Sequence, residues 1–366
     1  MTPLAALIPS VLAIFGLPGE RDDLGLADRL DGVRRCAIVL IDGLGYRQLR
    51  ERPELAPFLT SLLTELDVLT AGFPSTTASS LGSLGTGLMP GAHGLLGYQV
   101  LDPARDVVVN ELKWDPELDP RVWQPRRTVF ERAVAAGLAV TRVGPGEFDG
   151  SGLTDAALRG GRYVAADGLR QTMAATMDAL SEASLVYAYW SAVDINGHLF
   201  GVASTQWRKH VARVDSALAA VAARLPAETA VLVTADHGMV NVLDKVDVDE
   251  VAELRMGVRH LAGEPRARYI VVEPGAVDDV TATWTAVLGD DFRVVLTEEA
   301  VAAGWFGPTP TAHAARIGDI VVVPTGLGAV VASLAEPLES SLVGYHGAMS
   351  AAELEVPLVV IRARGG

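Results

Sequence analysis

The stretch CAIVLIDG, residues 36–43, decides the fold class of this chain. Six successive apolar residues lead directly into Asp42 and Gly43, with no polar residue alternating between them. An uninterrupted apolar run of this length is typical of a parallel strand that is buried on both faces. Further runs of this kind complete the set of predicted strands, which are Cys36–Ile41, Leu185–Trp190, Ala230–Thr234, Tyr269–Val272, Ile320–Val323 and Val356–Ile361.

Helix-length segments rich in Ala, Leu and Arg separate these runs: Thr128–Ala136, Ala166–Ala179, Thr205–Arg224 and Val280–Val287. Strands that alternate with helices predict an α/β fold, here a doubly wound, mostly parallel sheet with helices on both faces. We expect residues 1–366 to form a single catalytic domain. Within it, residues 247–308 combine Tyr269–Val272 with a helix and the short run Arg293–Leu296, which predicts a small α/β cap insertion.

Composition excludes several classes of protein. The chain has 366 residues, of which 49% are hydrophobic and 20% charged, so it can bury a large core and is not disordered. Thirty basic against forty-five acidic residues give a net charge of −15, which argues against a nucleic-acid polymer as the main partner. The single cysteine, Cys36, excludes a disulfide-stapled scaffold.

The apolar run Leu4–Leu17 raises the question of a signal peptide. No basic residue precedes it, Pro9 interrupts it, and charged residues beginning at Glu20 follow where a cleavage site would lie. The run is also shorter than the roughly 18 residues that a membrane span requires. We therefore expect a cytoplasmic protein without a membrane segment, and the sequence leaves the oligomeric state open.

Acidic and histidine side chains follow three of the predicted strands. Asp42 comes directly after the first, Asp194 and His198 follow the second, and Asp236 and His237 follow the third. An Asp after a strand is commonly a helix N-cap, and a lone His is commonly a packed or surface group. Because the carboxyl ends of parallel strands lie along one edge of the sheet, three coincidences of this kind favour a metal site. Carboxylate and imidazole ligands together suit Zn²⁺ and other first-row divalent ions.

A segment without Asp, Glu, Lys or Arg, Val68–Leu101, carries the sequence GFPSTTASS at residues 72–80. Pro74 followed by Ser and Thr predicts a turn and then a helix that continues through Leu84. A helix N-terminus is a ready seat for phosphate, and a hydroxyl there becomes a nucleophile beside a metal ion. Taken alone, these Ser and Thr residues are better explained as helix caps.

The motifs together resemble the alkaline phosphatase superfamily, in particular its nucleotide pyrophosphatase/phosphodiesterase branch. From about Cys36 to Val360, motifs of that branch occur in the same order in this chain. They are DG at residues 42–43, FPSTT at 73–77 followed by TGLMPGAHG at 86–94, DINGHLFG at 194–201, DHG at 236–238 and GYHG at 344–347. Within the family pattern, counting back from the TG pair at residues 86–87 places the nucleophile at Thr77.

The resemblance implies two Zn²⁺ ions, with Mn²⁺ as the alternative metal. One ion would be held by Asp194, His198 and His346, and the other by Asp42, Asp236, His237 and the Thr77 oxygen. The implied activity is hydrolysis of a phosphodiester or pyrophosphate bond in a small phosphate-ester or nucleotide-like substrate, through a phosphothreonine intermediate. His313 and His93 are the competing candidates for the last ligand.

Two positions depart from the branch. Ser80 stands where the branch usually has an Asn that donates to a phosphate oxygen, and we predict the same role for its hydroxyl. Ala78 stands where a base-stacking aromatic residue is common; Tyr189, Trp190 and Tyr98 are the substitutes, although core packing is the preferred interpretation of each. The alternatives are therefore a phosphomonoesterase, a phosphonate C–P hydrolase on the same two-metal site, or a non-catalytic binding descendant. A sulfatase is disfavoured because the only cysteine lies in the first strand.

Overall fold

The structure, a computed structural model, describes residues 2–65 and 67–363. In chain order the strands are β1 (Thr2–Pro3), β2 (Arg35–Ile41), β3 (Val68–Thr70), β4 (Gln99–Asp102), β5 (Val107–Asn110), β6 (Val140–Gly144), β7 (Arg162–Ala165), β8 (Leu185–Trp190), β9 (Thr229–Thr234), β10 (Val240–Asn241), β11 (Asp244–Asp247), β12 (Val258–Glu264), β13 (Ala267–Val272), β14 (Phe292–Leu296), β15 (Ile320–Pro324), β16 (Gly328–Val331), β17 (Gly344–Tyr345), β18 (Glu355–Pro357) and β19 (Val359–Arg362). The α-helices are α1 (Leu7–Ile14), α2 (Tyr46–Glu51), α3 (Pro57–Leu62), α4 (Thr77–Thr86), α5 (Pro90–His93), α6 (Pro120–Trp123), α7 (Val129–Ala135), α8 (Gly152–Ala157), α9 (Leu169–Ala179), α10 (Ala192–Phe200), α11 (Thr205–Ala222), α12 (Val277–Leu288), α13 (Thr297–Ala302), α14 (Thr311–Ala314), α15 (Pro337–Ser341) and α16 (Ala351–Leu354).

A six-stranded sheet in the order β19-β9-β2-β8-β6-β7 forms the centre of the molecule. Its five strands from β9 to β7 are parallel, and β19 alone runs antiparallel, beside β9. Every residue of β9 is buried, and so is every residue of β2 after Arg35. This burial explains why polar and apolar residues do not alternate along these strands. The fold is therefore the expected α/β architecture, and the strands predicted for β2, β8 and β9 are confirmed.

The predicted helices are also present, with shifted ends. The two largest shifts are equal: α12 begins at Val277 and not at Val280, and α9 begins at Leu169 and not at Ala166. Gly168, at a φ of 115°, precedes the helix and holds a backbone conformation that a helix cannot use. The helix predicted after Pro74 is α4, which starts at Thr77.

Two of the predicted parallel strands were wrong in both direction and sheet. Tyr269–Val272 and Ile320–Val323 lie in a separate four-stranded antiparallel sheet with the order β12-β13-β15-β14. Only two residues connect β12 to β13, which permits an antiparallel hairpin but no parallel crossover. The strands look like parallel ones in sequence because both faces are buried: Tyr269 packs in the main core, and Ile270 in a smaller core under Trp284.

The four-stranded sheet extends past the predicted insertion. Residues 247–308 contain β12, β13 and β14, whereas β15 comes later in the chain. Strand β12 was not predicted from the sequence. The division into one domain of residues 1–366 with an insertion stays a prediction, and residues 1, 66 and 364–366 of that range lie outside the described residues.

The predicted C-terminal strand Val356–Ile361 is two strands in different sheets. β18 pairs antiparallel with β3, and β19 pairs antiparallel with β9. Pro357 has no N–H to continue a ladder, and the next N–H, that of Leu358, donates to the Asp67 carbonyl at 3.0 Å. The run therefore breaks at this point, and its two halves serve two sheets.

The apolar N-terminal run includes helix α1, whose side chains Leu7, Ile8, Val11 and Leu12 are fully buried in the main core. This helix packs against α4 and α7. Within the described part of the chain, no helix has the length and apolar character that crossing a bilayer requires.

Candidate metal centre

The strand order places the predicted acidic residues together. Strands β2 and β9 are parallel neighbours, with Leu40 opposite Thr234, so Asp42 and Asp236 extend from the same edge of the sheet. Strand β8 lies on the other side of β2 and leads into α10. Helix α10 carries Asp194 and His198, one helical turn apart.

The first group of facing ligand atoms comes from Asp42, Asp236 and His237, which are all buried. The His237 Nε2 atom lies 3.5 Å from Asp42 Oδ1 and 3.6 Å from Asp236 Oδ2. Asp236 also accepts a hydrogen bond from the Gly43 N–H at 3.2 Å through its other oxygen, Oδ1. One oxygen of Asp236 is thus held by the backbone, and the other faces the histidine.

The second group comes from Asp194, His198 and His346. Asp194 Oδ1 lies 3.4 Å from His198 Nε2 and 3.9 Å from His346 Nε2. The loop after β17 brings in His346, and an isolated bridge between Ser75 and Gly347 fixes that loop. The two groups adjoin, because the rings of His237 and His346 stack with their centroids 3.5 Å apart.

The three histidines share one hydrogen-bond arrangement that leaves Nε2 available. Their Nδ1 atoms lie 2.8 Å from the Gly344 carbonyl for His198, 3.0 Å from the Gly238 carbonyl for His237, and 2.8 Å from the Ser75 carbonyl for His346. A carbonyl oxygen only accepts, so Nδ1 carries the proton in each ring. Each Nε2 then presents a lone pair, the arrangement typical of a metal-ligating histidine.

The buried atoms fit a divalent cation. Asp42 Oδ1, Asp194 Oδ1 and Asp236 Oδ2 are buried without a hydrogen-bond partner, and the Nε2 atoms of His198 and His346 face each other at 3.2 Å. Ligands about 2 Å from a tetrahedral ion lie about 3.3 Å from one another, close to the spacing within each group. Two unprotonated nitrogens and three unpartnered carboxylate oxygens repel one another unless positive charge lies between them.

The pKa values of three of these groups reflect the same burial and repulsion. Burial, and then the charges of Asp236 and Asp194, raise the pKa of Asp42 well above its ordinary value. Burial likewise raises the pKa of Asp194, and burial lowers the pKa of His346 well below its ordinary value. Each shift favours the neutral form of the group. A bound cation would reverse the shift for the two carboxylates, because it stabilises their charged form.

Helix α4 points its first residue into this centre. The Thr77 Oγ1 atom lies 3.3 Å from His237 Nε2, and Thr77 is partly exposed. The preceding residue, Thr76, is buried and serves as the N-cap. Ser80 lies one turn further into the helix, where its side chain is fully buried and its hydroxyl has no partner among the described residues. The Ser80 hydroxyl is therefore enclosed, and its role toward a phosphate oxygen stays a prediction.

The other histidines lie outside both groups. His93 accepts the Leu95 N–H on Nδ1 at 3.1 Å, so its Nε2 carries the proton and donates to Ser83 at 3.1 Å. His313 donates from Nδ1 to the Gly91 carbonyl at 2.7 Å. His260 lies in strand β12 beside Asp106.

Tyr189 is a site residue that sequence reasoning missed. Its hydroxyl donates to Asp42 Oδ2, leaving Oδ1 to face His237. A tyrosine at the end of an apolar strand is ordinarily interpreted as part of the core, but the register of the strands indicates that it lies near Asp42. Tyr189 lies opposite Leu40, whose side chain shares a face with Asp42 two residues later. Because this hydroxyl donates to Asp42, the Tyr189 ring is not free to stack on a base. The Tyr98 hydroxyl is similarly hydrogen-bonded to Glu339 Oε1 at 2.8 Å.

We predict that Tyr189→Phe weakens metal binding about tenfold, because Asp42 loses the hydrogen bond that orients it, and such partners typically contribute 10–100-fold. Zinc competition against a chromogenic chelator measures the change. The matched control is Tyr163→Phe, a tyrosine of strand β7 whose hydroxyl donates to the Pro145 carbonyl at 2.8 Å. Equal zinc affinity of Tyr189→Phe and wild type would contradict the assignment.

Known proteins resemble this chain in sequence and in fold. The sequence profile of the type I phosphodiesterase/nucleotide pyrophosphatase family matches residues 36–349. Murine ectonucleotide pyrophosphatase/phosphodiesterase 5 superimposes with a TM-score of 0.72 at 19% identity, over 88% of this chain and 87% of that one. An inactive threonine-to-alanine variant of that murine protein, in complex with AMP, gives a TM-score of 0.71 at 18% identity, over 89% of this chain and 87% of that one.

Phosphonoacetate hydrolase from Sinorhizobium meliloti 1021, in complex with phosphonoformate, superimposes with a TM-score of 0.68 at 22% identity, over 90% of each chain. No curated protein matches the sequence at a significant level. Identities this low establish the shared fold, whereas the family profile spans most of the chain. The chain belongs to the type I phosphodiesterase/nucleotide pyrophosphatase family of hydrolases.

Proposed function

We propose that this protein is a two-metal hydrolase that cleaves a phosphodiester or pyrophosphate bond through a phosphothreonine intermediate on Thr77. One observation carries the proposal. Two adjoining groups of unpartnered carboxylate and imidazole atoms lie beside the hydroxyl of a residue that opens a helix. Unpartnered ligand atoms at this spacing and a hydroxyl at a helix N-terminus together make a site for a metal-assisted attack on phosphate.

The residues would hold two Zn²⁺ ions, with Mn²⁺ as the alternative. Asp194, His198 and His346 would bind one ion; Asp42, Asp236, His237 and the Thr77 oxygen would bind the other. When bound, the ions supply Lewis acidity that stabilises negative charge on the attacking and leaving oxygens. The ligand set mixes imidazole with carboxylate, which suits zinc better than magnesium or calcium.

Thr77 performs the attack. Its Oγ1 gives up its proton to solvent and forms the bond to phosphorus, while the bond from phosphorus to the leaving oxygen breaks and that oxygen takes up a proton. Water then attacks the phosphothreonine, releases the phosphate product and restores the Thr77 hydroxyl. The free N–H groups in the first turn of α4 would bind the non-bridging oxygens during both steps.

The substrate is proposed to be a small phosphate ester or nucleotide, not a nucleic-acid polymer. The murine neighbour in complex with AMP supports this class. Ala78 is buried beside Thr77 and offers no aromatic ring to a base, and the Ser80 hydroxyl is enclosed. These two differences, with the similarity to phosphonoacetate hydrolase, support phosphonate C–P hydrolysis as the second candidate. The cytoplasmic location stays a prediction.

The test compares three substrates on one preparation of known metal content. We expect about two zinc ions per chain by elemental analysis, and faster turnover of bis-p-nitrophenyl phosphate than of p-nitrophenyl phosphate or phosphonoacetate. Removal of the metal with a chelator and reloading with zinc is the control. Two ions with turnover of phosphonoacetate alone would replace diester hydrolysis by the second candidate. An absence of bound metal after zinc reloading would contradict the mechanism.

A further inference from the structure

The turn between β12 and β13 buries three charged side chains. Glu264, Arg266 and Arg268 are 5%, 1% and 0% exposed. Hairpin turns ordinarily lie in solvent, and charged side chains are almost never fully buried unless they are paired. The turn instead packs beneath the loops of the metal centre, so each of the three charges needs an explanation.

The two arginines are explained by carboxylate partners. Arg266 donates to both oxygens of Glu353, at 2.7 and 2.8 Å, and Arg268 donates to both oxygens of Glu336, at 3.1 and 2.6 Å. The Glu353 carboxylate also accepts the N–H of Ala348 at 3.1 Å, two residues after His346. These are structural ion pairs, and no ion pair among the described residues includes Glu264, on which Arg268 acts only through its charge.

Glu264 faces the loop that precedes the nucleophile. Burial raises the pKa of its carboxyl group, and the Thr76 side chain lies close enough to oppose that rise; among the described residues its buried Oε1 atom has no hydrogen-bond partner. Thr76 is the N-cap of α4, yet its hydroxyl makes no capping bond to the helix. A threonine at this position normally caps the helix with its side chain. Here the Thr76 side chain lies beside Glu264 instead, so a residue from another sheet packs against the start of α4.

Glu264 also packs against the loop that carries His346. A Cβ atom on Gly347 would lie 2.9 Å from Glu264 Cγ and 3.0 Å from its Cδ, so the carboxyl group fills the space that a side chain would need. Gly347 is hydrogen-bonded with Ser75 in both directions, at 3.1 Å each way. One carboxyl group therefore lies behind the junction of the nucleophile loop with the His346 loop.

We propose that Glu264 is a positioning residue for the reaction, which through Thr76 and Gly347 holds the start of α4 in register with the His346 loop. This inference rests on the proposed function, in which Thr77 and His346 act together. Glu264 touches neither of them, and its effect is on their relative placement. A misplacement of about 1 Å in such an arrangement costs about 100-fold in rate.

The chemistry of the carboxyl group suggests which substitution is tolerated. Burial raises the pKa of Glu264 to about 8, so the neutral acid predominates at pH 7. A neutral carboxyl group and a primary amide have nearly the same shape, and each offers one acceptor oxygen to the Thr76 hydroxyl. Glu264→Gln therefore keeps the contact, whereas Glu264→Ala removes it.

The test measures kcat, KM and zinc affinity, with kcat taken at saturating zinc and bis-p-nitrophenyl phosphate as substrate. We expect Glu264→Ala to lower kcat about 100-fold with KM changed less than about threefold, and to weaken zinc binding about tenfold in chelator competition. Glu264→Gln should restore both values to within about threefold of wild type. Thr76→Val should lower kcat about tenfold and add nothing to Glu264→Ala in the double variant, since both remove one contact.

Glu111→Ala is the matched control, because Glu111 is a fully buried carboxyl group that binds Trp123 and is not among the residues of the metal centre. It should lower the melting temperature and leave kcat and zinc affinity unchanged. Three results would each overturn the proposal. The first is wild-type zinc affinity and kcat in Glu264→Ala, and the second is a Glu264→Gln variant as impaired as Glu264→Ala. The third is additive losses in the double variant. Should wild type turn over none of the three substrates, the proposed function fails, while the zinc affinities of the Glu264 variants still decide the positioning role.

Discussion

Thr77→Ala is expected to lower kcat on bis-p-nitrophenyl phosphate by about 10⁴-fold or more, in line with the loss of other covalent nucleophiles. Without the hydroxyl no phosphothreonine forms, and only substrate binding and the bound metal remain to assist direct attack by water. Zinc content should stay close to two ions per chain, because Asp42, Asp236 and His237 remain. Steady-state kinetics and elemental analysis on one preparation provide both measurements.

Thr77→Ser is the control, since it keeps an oxygen nucleophile at the first position of α4. We expect its kcat to lie within about tenfold of wild type, and rapid quenching at low pH during turnover of bis-p-nitrophenyl phosphate should trap a p-nitrophenyl phosphoryl group on the serine. Near-full diesterase activity in Thr77→Ala would show that another group attacks phosphorus. Loss of both zinc ions in that variant would show instead that Thr77 mainly completes the metal site.

The second large effect is expected for His346→Ala, which should lower zinc content from about two ions per chain to about one. The Asp194 group would keep two protein ligands, too few for tight binding of zinc at a site that normally has three or four. The group of Asp42, Asp236 and His237 is left intact. Diesterase activity should fall at least about 10³-fold, because two-metal sites need both ions to stabilise the attacking and leaving oxygens.

His260→Ala controls for the loss of a histidine as such. His260 lies on β12 and binds Asp106 at 3.1 Å, outside both groups of ligand atoms. Its zinc content and activity should match those of wild type. Retention of two tightly bound ions in His346→Ala would contradict the division of the centre into two three-residue groups plus Thr77.

Strand geometry made the acidic half of the centre predictable from sequence. Asp42 and Asp236 follow long apolar runs that have no alternation, and parallel strands end along one edge, so their proximity follows from the fold class alone. The helical spacing of Asp194 and His198 is likewise visible in the sequence. The structure brings these residues together because β2 lies between β8 and β9.

Residues on irregular segments could not be located in this way. His346 follows a strand of two residues, too short to leave a periodic pattern, and only its resemblance to a family motif pointed to it. Tyr189 and Glu264 act on the centre through side-chain contacts that depend on tertiary packing. The direction of Ile320–Val323 was mispredicted for a similar reason. When a strand is buried on both faces, its sequence does not indicate whether it runs parallel or antiparallel to its neighbours.

The bridge between Ser75 and Gly347 has a consequence for the order in which the protein matures. It joins the loop that precedes Thr77 to a loop that lies 272 residues later in the chain, and Glu264 packs against the junction from a segment between them. A ribosome-bound chain that does not yet include residue 346 lacks a member of the Asp194 group. It can complete only the group of Asp42, Asp236 and His237. Under the proposed two-metal mechanism, hydrolysis therefore begins only after residue 346 has been made, when five of the six strands of the central sheet are already present in the chain.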